Sequence, residues 1–105
     1  MTQHGTLLKD DNGYPTNIGT PKNITTQTTT LVKTGAGFLY AIVFNKPVAT
    51  GTVEYDDAVT NTNPMGTVTV PSNPQPFTLV INAAFATGLS ITTGVAAQDI
   101  TVIYR

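Results

Sequence analysis

Cysteine and tryptophan are both absent from this 105-residue chain, and charge is scarce, with five basic and six acidic residues leaving a net charge of -1. Without cysteine there are no disulfide staples and no thiolate metal sites. The basic residues Lys9, Lys22, Lys33, Lys46 and Arg105 are scattered along the chain. Phosphate recognition needs clustered Lys and Arg, so the spacing argues against a nucleic-acid partner. The longest apolar run is seven residues, 38–44, far short of the ~20 that a membrane helix needs. The opening MTQHGTLLKDDNG has neither a basic n-region nor an apolar core of useful length, and the expectation is a chain made and folded in a cytosol. Helical signals are missing too: no segment places apolar residues at i, i+3, i+4 and i+7 between caps.

What the chain has is threonine: 21 of its residues, with eight Asn and nine Gly. Thr and Asn stand in for charge on the surface. Thr, β-branched, favours strands, while Asn, Gly and Pro favour turns. The composition points to an all-β fold. The length fits one domain, able to bury roughly 65% of the surface its unfolded chain exposes.

The chain divides near residue 28. Residues 1–28 carry few large apolar side chains (Leu7, Leu8, Tyr14, Ile18, Ile24) amid regularly placed Gly and Pro, and read as an extended N-terminal arm, with the low-complexity run TTQTTT at 25–30 leading into the first clear strand. Residues 29–105 read as the folded domain. Strands are expected at 29–34, 38–45, 52–57, 67–70, 77–82, 89–93 and 99–105, separated by turn signals such as GAG at 35–37 and PSNPQP at 71–76. Residues 38–45 are almost continuously apolar, so both faces should be buried or nearly so. Val53 and Tyr55 should face one side and Thr52, Glu54 and Asp56 the other. Ile42, Val53, Tyr55, Ile100 and Val102 are the expected core. About seven short strands at roughly ten-residue spacing suggest a compact antiparallel β-sandwich or jelly-roll-like barrel.

Groups capable of chemistry are few. His4 is the only histidine; it lies in the arm, away from any orienting partner, so no Ser/His/Asp set can be assembled. Glu54, Asp56 and Asp57 form the one acidic cluster. Positions 54 and 56 share a strand face about 7 Å apart, a spacing compatible with paired glycosidase carboxylates or with a Ca²⁺ site joined by Asp99. The simpler reading is a solvated strand edge that needs no ion. Asp10, Asp11, Asn12 and Gly13 lack the Gly and Glu positions of an EF-hand. No catalytic, cofactor-binding or metal-ligating residue is assigned, and the chain is expected not to be an enzyme.

Several phrases resemble small virion proteins of tailed bacteriophages: LLKDDNGYP at 7–15, LVKTGAGFLYAIVFNKP at 31–47, GTVEYDDA at 51–58, GLSITTG at 88–94 and DITVIYR at 99–105. The resemblance covers about three quarters of the chain and rests on turn-and-strand signals; PSNPQP at 71–76 departs from the pattern. It implies a β-sandwich virion component, most often a capsid decoration (cement) protein, with no catalytic residues to carry over. The implied partners are the major capsid protein and further copies of this chain, with a trimer preferred, and the implied place is the capsid surface. The residue reading points the same way. An arm of 28 residues reaches at most ~90 Å, and ordering it costs about 1–2 kcal/mol per residue, a cost that only a partner surface recovers. Leu7, Leu8, Tyr14 and Ile18 are its candidate contacts. The alternative is a carbohydrate- or receptor-binding module of a tail or head fibre; the missing Trp weighs against it, and the 54–57 cluster supports it.

Overall fold

The structure, a computed structural model, describes residues 19–105. His4, Leu7, Leu8, Tyr14 and Ile18 therefore lie outside the described residues. Eight strands follow one another: β1 (Thr20–Ile24), β2 (Thr29–Thr34), β3 (Gly37–Lys46), β4 (Thr52–Asp56), β5 (Pro64–Thr69), β6 (Phe77–Phe85), β7 (Gly88–Gly94) and β8 (Asp99–Tyr104). They form two antiparallel four-stranded sheets, ordered β1-β8-β3-β6 and β2-β7-β4-β5. The expected all-β sandwich is what forms. None of the described residues belongs to a helix long and apolar enough to cross a membrane.

One strand more is present than the sequence suggested, and it lies in the segment read as arm. Thr20–Ile24 pairs along β8, from Thr20 opposite Tyr104 to Ile24 opposite Ile100. It escapes notice because it is an edge strand with four exposed residues and a single buried one, Ile24. The following Thr-rich run is the crossover between the sheets. Buried Thr93 holds it: its hydroxyl donates to the Thr26 carbonyl at 2.7 Å and accepts from the Thr28 N–H at 3.1 Å.

The core lies between the sheets. Leu39, Ile42, Phe44, Val53, Leu89, Ile91, Ile100 and Val102 are fully buried, and Tyr55, Phe77, Leu79, Ile81 and Tyr104 pack against them. The rings of Phe44 and Phe77 stack at 4.3 Å. Four of the five expected core residues are thus at its centre, and Tyr55 is half-buried beside it. Along β3 the inward residues are buried and the outward apolar ones half-buried, and a bulge decides which are which. A bulge between Leu39 and Ala41 shifts the side-chain parity, so Leu39 and Ile42 both point inward while Tyr40, Ala41 and Val43 remain half-buried on the outer face. Bulges also explain two shifted boundaries. β5 starts at Pro64, not 67, with Met65 as the extra residue where the register slips; proline is tolerated at the first position of an edge strand. β6 continues to Phe85, past Asn82, whose φ of 53° marks its bulge.

Candidate attachment surfaces and the polar clamps behind them

The topology sends the loops to two opposite ends. One end gathers the crossover 25–28 and the loops 47–51, 71–76 and 95–98; the other gathers turn 35–36, loop 57–63, turn 86–87 and the two ends of the described chain. Each end is fixed by a polar side chain from a neighbouring segment.

At the first end the clamp is Gln98, 1% exposed. Its Oε1 accepts from the Val48 N–H at 2.7 Å, and its Nε2 donates to the Val48 carbonyl at 3.1 Å. The amide thus imitates a strand neighbour, satisfying both backbone groups of one loop residue. Gly51 makes room for it, since a Cβ there would run into the Gln98 amide. The 47–51 loop is tied further to Val70 by the Thr50 N–H to Val70 carbonyl and Val70 N–H to Gly51 carbonyl bonds, 3.0 and 2.8 Å. On this framework two valines face solvent, Val48 (41% exposed) and Val95 (69% exposed). Val95 has φ 69° at the centre of a three-residue turn closed by the Ala96 N–H to Gly94 carbonyl bond, 2.7 Å. That conformation is rare for a β-branched residue and costs of order 1–3 kcal/mol. Thr50 on the adjoining loop has φ 63°.

At the second end the acidic cluster separates. The Asp57 carboxylate turns to the β6–β7 turn and accepts from the N–H groups of Thr87 at 2.8 Å, Ala86 at 3.0 Å and Gly88 at 3.4 Å. Those donors, Thr87 foremost, hold its carboxyl below the usual carboxylate range. Asp56 corrects the expectation of a solvated edge: it is fully buried. It does lie on the outer face with Glu54, as alternation requires, but loop 57–63 folds back over that face. The Asn63 N–H donates to Asp56 Oδ2 at 3.1 Å, and the Ser90 hydroxyl donates to the Thr60 carbonyl at 2.9 Å. Asp56 Oδ1 has no hydrogen-bond partner among the described residues. A protonated Glu54 can donate to the neighbouring Asp56 carboxylate and an ionised one cannot, which holds the Glu54 carboxyl above the usual range; burial and the like charge push the same way.

Asp99 does not join this cluster. It starts β8 in the other sheet, where Asn23 Nδ2 donates to it at 2.8 Å and Asn45 Nδ2 at 3.4 Å. No group of three or more His, Asp or Glu residues suited to a metal ion occurs among the described residues. Sequence reasoning found the three carboxylates but missed Gln98, Ser90 and Thr93. These are isolated polar residues in strand or turn patterns, and nothing local marks their hydrogen bonds to segments 30–67 residues away. No protein-family model, curated protein or solved structure matches the chain.

Proposed function

We propose that this chain is a structural virion protein that decorates a phage capsid and stabilises it by binding the shell and neighbouring copies. The observation that carries the reading is the loop end where Gln98 locks the 47–51 loop and two valines, one in a strained turn, are held out to solvent. Such strain persists only where the surrounding structure over-determines it, and it concentrates at binding and catalytic sites. Val48 and Val95 are exposed apolar groups here, and Gln98, Ser90, Thr93, Asp57 and Asp99 are engaged in internal hydrogen bonds. That suits cohesion between surfaces better than bond-making chemistry. A low-charge chain in many copies makes contacts that salt screens little. Arm residues Leu7, Leu8, Tyr14 and Ile18 are proposed as further contacts with the shell or the next copy.

The test is reconstitution. Particles are stripped of this protein, decorated again, and heated while DNA retention is followed; mass spectrometry gives its stoichiometry against the major shell protein. Copies in the hundreds and DNA lost at a lower temperature from stripped particles are the expected results. Equal DNA loss with and without the protein, together with weaker host adsorption of stripped particles, overturns the cement reading in favour of receptor binding.

A further inference from the structure

Four strand edges bound the two sheets, and three carry the devices that keep edges from pairing. β1 has Pro21 and Lys22, β2 has Lys33 and a bulge, and β5 begins at Pro64 and has its own bulge. Proline, lysine and bulges are the usual protections of an exposed edge. β6 differs. Its nine residues, FTLVINAAF, contain no charge and no proline. Among the described residues it pairs only with β3, and no backbone or side-chain hydrogen bond from another described segment reaches residues 77–85. Its outward side chains include Val80, 64% exposed.

From this we infer that β6 is where two copies of the chain join, edge to edge, as antiparallel neighbours in one continuous eight-stranded sheet. The inference rests on the proposal that copies of the chain associate, and it names the surface. The occupant is a second β6 for three reasons. An antiparallel pair about a two-fold axis is self-complementary, with each strand supplying the N–H and C=O groups the other lacks. The strand carries no charge, so no like-charge repulsion opposes its meeting itself. The outer face of this sheet carries an apolar row, Pro21, Ile103, Ala41 and Val80, aligned by the register of β1, β8, β3 and β6. Pairing at β6 brings the Val80 ends of the two rows together as diagonal neighbours on one face. The regular part of β6 before the bulge runs from Phe77 to Ile81, which centres the axis at Leu79 and sets Thr78 opposite Val80 of the other copy. Two copies close such a contact, where the resemblance suggested three.

The full chain is studied by sedimentation, beside Thr78→Lys/Val80→Lys and Thr78→Glu/Val80→Glu variants. Both positions are exposed, so the fold should hold, as matching thermal melts will report; Val80→Lys alone is the fallback if a double variant melts early. The wild-type chain should associate, and each charged variant should be monomeric because like charges meet across the axis. An equal mixture of the two variants should associate again, since opposite charges then face each other. Charged variants that associate like the wild type, or a mixture that stays monomeric, overturn the β6 contact but leave self-association through another surface. A wild-type chain that stays monomeric at every concentration overturns self-association and this contact together.

Discussion

Asp56 offers a sharp test of how the second loop end is held. It is fully buried, one oxygen takes the Asn63 N–H, the other has no partner among the described residues, and Glu54 lies two residues away on the same face. Changing Asp56 to Asn keeps an acceptor for Asn63, removes a buried charge and supplies an amide donor toward Glu54. Two like charges about 7 Å apart, the spacing of alternate residues on a strand, repel by about 0.6 kcal/mol in water and about 2.4 kcal/mol at an effective dielectric constant of ~20. Glu54 is partly solvated, which favours the lower figure, so Asp56→Asn should stabilise the protein at pH 7 by about 1 kcal/mol. In a domain of this size that raises Tm by about 5 °C. Asp56→Ala removes the acceptor as well and should fall about 1–2 kcal/mol below Asp56→Asn, the usual cost of an unmade hydrogen bond. The pH dependence supplies the sign. The folded state holds the Glu54 proton above the usual Glu range, so in that window it binds more protons than the unfolded chain, and stability falls as pH rises through it. The advantage of Asp56→Asn should therefore shrink as the pH falls below about 4, where both states are protonated. Urea melts at pH 4 and pH 7 read all of this. If Asp56→Asn is less stable than the wild type at pH 7 by 1 kcal/mol or more, the buried carboxylate has a favourable partner, and the account is wrong. A wild-type Tm raised about ten degrees by millimolar Ca²⁺ over EDTA would identify that partner as an ion.

Asp57 should act with the opposite sign: its lowered carboxyl stabilises the fold above the usual Asp range and the contribution is lost on acidification through its folded value, so the acid limb of a Tm-against-pH curve should flatten in Asp57→Asn. Ile42→Ala and Val102→Ala, at fully buried positions, should each cost roughly 2–4 kcal/mol in chemical denaturation through lost burial and a residual cavity. Gln98→Ala leaves both Val48 backbone groups without their partner and should cost about 1–3 kcal/mol, with faster amide exchange confined to residues 47–51 and 95–98. Truncation before Gly19 should leave a cooperative domain, whereas truncation through Ile24 strips β1 from β8 and should lower Tm clearly; equal melts for the two would refute the assignment of β1.

The fold class was legible in the amino-acid order because period-two alternation and turn residues are local signals. TVEY, FTLV and DITVIY each state which residues face the core, and Ile42, Val53, Ile100 and Val102 are buried as that alternation requires. Where the pattern was weak, the tertiary structure decided. TPKNI in β1 has one buried residue and takes its strand form from β8. The bulges at Tyr40, Met65 and Asn82 arise between paired strands, and no single strand encodes the partner that defines them. The carboxylates at 54, 56 and 57 lie within four residues of sequence, yet one is buried beneath its own loop and another caps the turn at 86–88. A strand pattern says which face a side chain takes, but not whether a distant segment will cover that face. Gln98 holds Val48 from 50 residues away, because an amide satisfies whatever backbone the fold brings within reach, and only the folded chain sets which backbone that is.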